Sequence, residues 1–250
     1  MPRLPSIRRP PIAFAHRGAR AHARENTLEA FNLALRLGAT GLESDAWITR
    51  DGVVVLDHDG VVRRSARRRP IAQVAAAELP SHIPTLEEFY ALCGDTVDVS
   101  LDVKDPTAAT RVLEVAAACG GASVRRLWLC HHDVEVVASW RGLSDEVRLV
   151  DSTRLRFIEE GVERRAARLR SEGIDALNLH HTDWNGGLIA LVHRFERLAF
   201  AWDAQVPRVI AELLDIGIDA VYSDHVDRLV EALDPGPGRA RPQSPDDEVS

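Results

Sequence analysis

The stretch PIAFAHRGARAHARENTLEAFNLALRLGATGLESDAW, residues 11–47, contains one full repeat of the pattern that decides the fold. A short apolar run, 11–16, precedes the helical pattern NTLEAFNLALRLG at 26–38, and a second short run, 41–47, follows it. A strand, a helix and another strand in this order predict two parallel strands joined by a crossover helix. The stretch therefore indicates an α/β protein.

The same alternation continues along the chain and predicts a (β/α)8 barrel of the TIM type, since eight units fit a domain of about 250 residues. An open, doubly wound sheet is the alternative, but no glycine-rich GxGxxG motif follows the first run. The eight runs are PIAFAH (11–16), GLESDAW (41–47), VDVSLDV (97–103), RLWLCH (126–131), EVRLVD (146–151), DALNLH (175–180), RLAFAW (197–202) and DAVYSD (219–224).

Residues at the ends of the first helical patterns predict where these helices begin and end. Asn26 is expected to cap the first helix, with Glu29 as its capping-box partner, and Gly38 to end it. Pro84 is expected to start the next helix and Gly94 to close it.

An additional segment, about 51–83, interrupts the alternation after the second run. DGVVVLDHDG (51–60) has the Asp-Gly turn signal of a hairpin, and the sequence at 61–83 is predicted to be a long loop. An insertion at this point lies on the carboxyl-terminal face of a barrel, where active sites form. We expect one domain over 1–234, with this insertion, and a disordered tail at 235–250 that is rich in Pro, Gly and charge.

Composition excludes several classes of protein. The net charge of −7 argues against nucleic-acid binding. No apolar run approaches the roughly 20 residues of a membrane-spanning helix, and IAFA near the amino terminus is too short for a signal peptide. We therefore expect a cytoplasmic protein without a stable membrane anchor. Cys93, Cys119 and Cys130 are odd in number and widely spaced, which indicates buried thiols and not disulfides or a zinc site.

Charged side chains cluster at the predicted strand ends. Glu43 and Asp45 are two residues apart, as are Asp102 and Lys104, so each pair shares one face of a strand. His16 ends the first run. In a barrel these ends converge on one mouth.

Each of these residue types suits one part of a phosphate-ester site. Three carboxylates suit a hard cation such as Mg²⁺ or Ca²⁺. His16, and His58 at the end of the hairpin arm, can act as base and acid near neutral pH. The fork of Arg17 fits phosphate oxygens.

Lys104 is the only lysine among 31 basic residues, and the others are all arginine. An ammonium is a compact point charge, whereas a guanidinium is a planar fork. The retention of lysine at this position indicates a crowded site, where a carboxylate, a metal and a phosphate leave no room for arginine.

The segment at 15–60 resembles the opening of the glycerophosphodiester phosphodiesterase family. Later segments, LDVKD (101–105), AWDAQ (201–205) and GIDAVYSDHVDRLVEAL (217–233), resemble its third strand, its seventh strand and its last strand and helix. The resemblance covers roughly 12–233. Its first part rests on His16-Arg17-Gly18, Glu25-Asn26-Thr27, Glu43-Ser44-Asp45, Thr49-Arg50-Asp51-Gly52 and His58-Asp59.

The resemblance implies a barrel enzyme that hydrolyses glycerophosphodiesters to sn-glycerol 3-phosphate and an alcohol with one divalent cation, Mg²⁺ or Ca²⁺. It also implies a role for each site residue. By position, Glu43, Asp45 and Asp102 would hold the metal, His16 and His58 would be general base and acid, Arg17 and Lys104 would bind phosphate, and Trp202 would line the substrate pocket.

The sequence departs from the family pattern at three places, the first of which bears on the metal and the last on the alcohol. The third-strand acid is usually Glu, and Asp102 has one methylene less. The arginine-rich segment 63–69 is expected to be a solvated basic loop. His131, His132, His180 and His181 are expected at the mouth, in support of the main site residues.

The residue pattern leaves two other functions open. One is a related barrel phosphodiesterase of the lysophospholipase D or phospholipase C type, acting on lysophospholipids or other phospholipids. The low aromatic content of 5% argues against it. The other is a non-catalytic phosphate-ligand binder, which the presence of both histidines disfavours.

Overall fold

Eight parallel strands close into a barrel in the computed structural model, which describes residues 5–64 and 67–233. In the described residues the strands are β1 (Ile12–Ala15), β2 (Gly41–Ile48), β3 (Val54–Leu56), β4 (Val61–Arg64), β5 (Arg67–Pro70), β6 (Asp98–Val103), β7 (Leu127–His131), β8 (Arg148–Ser152), β9 (Ala176–His180), β10 (Leu198–Trp202) and β11 (Ala220–Ser223). The barrel consists of β1, β2 and β6 to β11, and β1 pairs with both β2 and β11. The predicted barrel is confirmed, because an open sheet would leave this seam unpaired.

An outer layer of helices surrounds the barrel. The helices are α1 (Leu28–Arg36), α2 (Leu86–Cys93), α3 (Ala109–Cys119), α4 (Val134–Ser139), α5 (Val162–Ser171), α6 (Gly186–Arg194), α7 (Pro207–Asp215) and α8 (Val226–Leu233). One strand face packs against these helices through fully buried side chains such as Leu42, Leu101 and Leu129. Burial of both strand faces is why the barrel runs are so apolar.

Large aromatic side chains fill the inside of the barrel. Phe14 stacks on Tyr222 with ring centroids 4.6 Å apart, and Trp128 and Phe200 pack edge to face at 5.1 Å. A Cβ atom at residue 41 would lie 2.5 Å from the Phe14 ring, so Gly41 makes room for this packing. Because the interior is packed, polar chemistry is confined to the ends of the strands.

The capping prediction for α1 is wrong for both the cap and its partner, because the third helical position is Ala30 and Glu29 therefore forms no capping box. Thr27, not Asn26, is the N-cap, and its hydroxyl accepts from the Ala30 N–H. Asn26 has a φ of 54° and turns its amide toward Ser44 and Asp45. Local sequence favours either residue as a cap, but tertiary contacts decide between them. Gly38 follows the helix with a φ of 93°, as predicted.

The second helix begins slightly later than predicted. Leu86 is its first residue, and Thr85 forms a capping box with Glu88, so Pro84 lies just outside. Gly94 is its C-cap, as predicted.

The insertion is more ordered than the sequence suggests. Strand β3 pairs antiparallel with β2, as expected for the hairpin arm. The predicted loop at 61–83, however, contains the β4–β5 hairpin and two 3₁₀ turns, Ile71–Gln73 and Ala76–Glu78. The reason is a small separate core of Val55, Val62, Ile71, Val74 and Ile83.

The arginine-rich segment lies mostly on this hairpin. Arg63 and Arg68 are exposed, as a solvated basic segment requires, and Arg69 donates to the Gln73 carbonyl at 2.7 Å. The described part of the arginine-rich segment therefore belongs to a β-hairpin and not to an irregular loop. The predicted disordered tail, 235–250, lies outside the described residues.

No helix in the described ranges has the length and apolarity needed to cross a membrane. Cys93 and Cys130 are buried thiols, as predicted, whereas Cys119 is only partly buried.

Candidate active site

The carboxyl ends of the barrel strands surround a cavity of about 820 Å³. Of the eight site residues predicted from sequence, seven line it, and His58 does not. Those seven are His16, Arg17, Glu43, Asp45, Asp102, Lys104 and Trp202. The barrel topology therefore gathers residues that are far apart in the chain.

Strands β2 and β6 bring the acidic residues together. Asp45 and Asp102 are direct partners in the parallel register, and Glu43 lies two residues earlier on the same strand. The Lys104 ammonium donates to Asp102 Oδ2 at 2.5 Å and lies 3.2 Å from Asp45 Oδ1. Burial lowers the Lys104 pKa, but the two carboxylates outweigh it and raise the pKa, so the group stays charged. An ammonium has three N–H donors, which leaves one for a substrate.

The turn after β1 positions Arg17. Its backbone is left-handed, with a φ of 52°, and its N–H donates to Glu43 Oε2 at 2.9 Å. The guanidinium lies 3.2 Å from Glu25 Oε2 and 3.1 Å from Asp45 Oδ2. Arg17 thereby connects the first β–α turn to the acidic wall of the cavity, which Glu43, Asp45 and Asp102 form.

Gly18 is required at the next position. Its φ is 78°, and an added Cβ would lie 2.7 Å from the Ala30 carbonyl carbon. Gly52 is a matched comparison, because its φ is 82° and an added Cβ would meet nothing within 4 Å.

We expect Gly18→Ala to destabilise the protein more than Gly52→Ala. The left-handed backbone costs alanine about 1–2 kcal/mol at either position. At Gly18 the clash with α1 adds about 1–3 kcal/mol more. Urea unfolding of both variants measures the difference, and equal losses would show that the turn can move away from α1.

His16 is oriented by a residue that the sequence analysis missed. Its Nδ1 lies 2.6 Å from Asp224 Oδ1, and its Nε2 lies 3.9 Å from Glu43 Oε2. Burial opposes ionisation of Asp224, but the hydrogen bond with His16 outweighs it and lowers the Asp224 pKa. An ionised carboxylate only accepts, so Nδ1 carries a proton. The signal for Asp224 was its position at the end of the last run, DAVYSD.

Glu43 is the most perturbed acid of the site. Burial raises its pKa to about 7, with His16 acting in the opposite direction and Asp45 in the same direction. The pKa of His16 is also raised: burial lowers it, but Glu43 and Asp224 outweigh that effect. The acidic wall thus favours any added positive charge.

Asn26 holds Asp45 in place by a hydrogen bond. Its amide nitrogen donates to Asp45 Oδ2 at 3.2 Å, and its oxygen accepts from the Ser44 hydroxyl at 2.8 Å. All three residues are buried, so this network holds Asp45 in place. From the sequence, Asn26 was expected only to cap the first helix.

His58 lies outside the cavity lining. It follows the hairpin arm, its Nδ1 is 2.9 Å from Asp59 Oδ1, and its side chain is 40% exposed. The arm itself is anchored near the site, because the Asp57 N–H donates to the Asp45 carbonyl at 3.1 Å.

The other predicted histidines lie at the carboxyl ends of β7 and β9. His132 lines the cavity, while His131 is buried behind it and accepts from the Asp133 N–H at 3.0 Å. His180 packs edge to face on Trp202 at 4.6 Å, and His181 packs on His180 at 4.4 Å. His131 and His180 therefore contact the lining residues His132 and Trp202, His181 contacts only His180 among these, and His132 itself lines the cavity.

The chemistry of the three carboxylates fits a metal site better than their spacing does. Among the described residues, Glu43, Asp45 and Asp102 do not bring one oxygen each to within 4.8 Å of one another. All three nevertheless line one cavity. An all-oxygen set of this kind fits a hard divalent cation.

Carboxylates, an imidazole, a guanidinium and an ammonium around one barrel mouth are typical of enzymes that cleave phosphate esters with a metal. Residues 16–228 match the sequence model of the Glycerophosphoryl diester phosphodiesterase family. The chain belongs to this family, which makes it a phosphoric diester hydrolase that acts on glycerophosphodiesters. The family generally depends on a divalent metal.

Similar proteins bear names of the same activity. A glycerophosphodiester phosphodiesterase of Arabidopsis thaliana is 26% identical over 237 residues, which span 87% of this chain and 71% of that protein. Glycerophosphodiester phosphodiesterase 1 of Rattus norvegicus is 53% identical over 53 residues, 21% of this chain and 16% of the rat protein.

Solved structures of similar proteins have the same fold. The glycerophosphodiester phosphodiesterase of Thermotoga maritima has a TM-score of 0.75 and 24% identity, covering 88% of this chain and 97% of that one. An Oleispira antarctica phosphodiesterase in complex with the product sn-glycerol-3-phosphate has a TM-score of 0.77 and 21% identity, covering 89% of this chain and 96% of that one.

Proposed function

We propose that this cavity hydrolyses glycerophosphodiesters to sn-glycerol 3-phosphate and an alcohol, with the residue roles given below. The observation that supports these roles is the convergence of His16, Arg17, Lys104 and three carboxylates on one cavity. The sn-glycerol-3-phosphate bound to the Oleispira antarctica protein, which shares the fold, supports the product.

Glu43, Asp45 and Asp102 would hold one Mg²⁺ or Ca²⁺ ion. When bound, such an ion polarises the phosphoryl oxygens and lowers the pKa of a bound hydroxyl or water. The side chain of Asp102 is one methylene shorter than the Glu of the family pattern, and Lys104 holds it in a direct ion pair. This pair keeps the shorter carboxylate at the acidic wall.

His16 is the proposed general base. With Asp224 accepting from Nδ1, the neutral imidazole has its free lone pair on Nε2, toward Glu43. It takes a proton from the nucleophile, either the neighbouring glycerol hydroxyl or a water. As the new oxygen–phosphorus bond forms, the bond to the leaving alcohol breaks, and His58 is proposed to donate a proton to that oxygen. If the glycerol hydroxyl is the nucleophile, this step gives a cyclic glycerol phosphate. A water then opens the ring, losing its proton to His58 while His16 returns one to the glycerol oxygen, and sn-glycerol 3-phosphate results.

Lys104 and Arg17 would bind the phosphate. The third N–H of the Lys104 ammonium is available to a phosphate oxygen after Asp45 and Asp102 have used two. Arg17 adds positive charge beside Glu43 and Asp45. Trp202, with Arg154 5.6 Å over its ring, would form the wall next to the substrate's organic part.

Phe157 favours a second candidate, a related phosphodiesterase that acts on lysophospholipids. Its side chain lines the cavity and is 60% exposed, which offers an apolar rim to an acyl chain.

One assay tests these alternatives. The purified protein is incubated with glycerophosphocholine, glycerophosphoethanolamine, glycerophosphoglycerol or lysophosphatidylcholine, and released sn-glycerol 3-phosphate and choline are measured. We expect glycerol-phosphate release from the first three. Choline release from the lysophospholipid alone would favour the second candidate, and binding without turnover would favour a non-catalytic ligand binder.

Removal of the metal is the matching prediction. We expect EDTA to abolish the release of sn-glycerol 3-phosphate, because the acidic wall then carries uncompensated charge that repels the phosphate. Added Mg²⁺ or Ca²⁺ should restore it, and the more effective ion identifies the preferred metal. Full activity in EDTA after extensive dialysis would contradict the metal role of Glu43, Asp45 and Asp102.

We also propose that residues 1–234 act as one catalytic domain in the cytoplasm. The single closed barrel sheet, with the β4–β5 hairpin as part of the insertion, supports the first point, and three unpaired cysteines support the second.

A further inference from the structure

A cluster of two histidines and one aspartate lies beside the barrel mouth, outside the cavity lining. His22 Nε2 is 3.0 Å from Asp227 Oδ1, and the rings of His22 and His225 are 6.1 Å apart in an edge-on arrangement. One donor atom from each of the three residues lies within 4.8 Å of the others, and no other group of the described residues meets this condition. None of them has a part in the proposed reaction.

Backbone hydrogen bonds hold both sides of the cluster. On one side, the His22 N–H donates to the Ala19 carbonyl at 2.8 Å, and the neighbouring Ala21 N–H donates to the Asp224 carbonyl at 3.2 Å. On the other side, the His225 carbonyl accepts from Leu229 at 3.1 Å in the first turn of α8. The three side chains therefore converge from two backbone segments whose positions are already held by hydrogen bonds.

The donor set differs from that of the active-site wall. Two imidazole nitrogens and one carboxylate oxygen suit zinc and similar transition metals, which commonly take three protein ligands and a water. An all-oxygen set suits Mg²⁺ or Ca²⁺ instead.

Charge and access also suit a metal. The nearby Arg20 guanidinium pairs with Glu25 and Asp224 and so does not compete for Asp227. The His22 and Asp227 side chains are 39% and 47% exposed, so an ion can reach them from solvent.

We propose that His22, His225 and Asp227 form a second metal site, for a transition-metal dication of the zinc type, distinct from the site of the reaction. It joins the first β–α turn to the start of α8. The turn carries Arg17 and Asn26, and Asp224, which orients His16, is the residue before His225. A bound ion would stiffen the supports of the active site without contacting the substrate.

Metal binding to the full chain tests the proposal. The protein is stripped with chelator, saturated with Mg²⁺ to occupy the active site, and titrated with Zn²⁺ by calorimetry. A parallel titration with Co²⁺ follows the visible absorption of the bound ion. We expect one tight equivalent of Zn²⁺, tetrahedral Co²⁺ spectra and a Zn²⁺-dependent rise in Tm.

Variants place the binding at the cluster. His22→Ala, His225→Ala and Asp227→Asn should each weaken Zn²⁺ binding by more than the roughly 10–100-fold that loss of a ligand's supporting partner costs. His82→Ala is the matched control, because His82 is a half-buried histidine outside the cluster, paired with Arg24 at 2.7 Å. Circular dichroism verifies that each variant is folded.

Binding that is lost in all three cluster variants and kept in His82→Ala supports the site. Unchanged Zn²⁺ affinity in those variants, or the absence of any tight equivalent in the wild-type protein, overturns it. Because binding and Tm are measured without substrate, either result is independent of the proposed hydrolysis.

Discussion

His16→Ala is expected to lower turnover by about 10²-fold or more, the usual contribution of a general base. The reason is that Nε2 of His16 is the proposed proton acceptor at the acidic wall, with Nδ1 committed to Asp224. Steady-state release of sn-glycerol 3-phosphate measures the effect. His58→Ala is expected to lose a similar factor if the hairpin arm supplies the acid.

Two comparisons separate catalysis from general damage. Asp224→Asn keeps the shape but changes the partner of Nδ1, so it should shift the pH profile of kcat as well as lower kcat. His82→Ala removes an imidazole that lies outside the cavity lining and should keep wild-type turnover. Near-normal activity in His16→Ala or in His58→Ala would remove that residue from the mechanism.

Lys104→Arg is expected to fail nearly as badly as Lys104→Met, although arginine supplies every other basic charge in the chain. The ammonium donates to Asp102 and lies 3.2 Å from Asp45, and Arg17 already lies 3.1 Å from the same Asp45 carboxylate. A second guanidinium would add bulk where two cations already meet one carboxylate. By analogy with a deleted oxyanion donor, the loss should be about 2–4 kcal/mol of transition-state stabilisation.

The comparison of Lys104→Arg with Lys104→Met identifies the cause. Similar losses in kcat/KM would mean that shape matters as much as charge, as the crowded site requires. Wild-type turnover and metal dependence in Lys104→Arg, with an unchanged circular dichroism spectrum, would make the single lysine an accident of composition.

The barrel could be predicted because its signal is local and repeated. Each strand is buried on both faces, so each reads as a short apolar run, and each crossover helix has its own periodicity, as at 11–47. The acidic wall could be predicted for a similar reason. Spacing by two residues on a strand places Glu43 beside Asp45 whatever surrounds them.

The insertion could not be predicted in the same way. Its hairpin depends on Val62, Ile71 and Val74 reaching Val55 and Ile83, and those contacts leave no regular period in the sequence. The first helix shows the same limit. Asn26 and Thr27 are both favourable N-cap residues. Asn26 hydrogen-bonds Ser44 and Asp45 in the barrel instead, so Thr27 is the cap.

By itself, the sequence determined the strand and helix order, the barrel and the residue types at its mouth, because each follows from a local period or a short motif. Only the tertiary structure decided which distant residues touch. The parallel register sets Asp45 against Asp102, and closure of β1 on β11 brings Asp224 to His16 and His22 to Asp227. Closure decides these contacts because hydrogen bonds and metal sites need atoms a few ångströms apart, while the partners are separated by up to 208 positions in the chain.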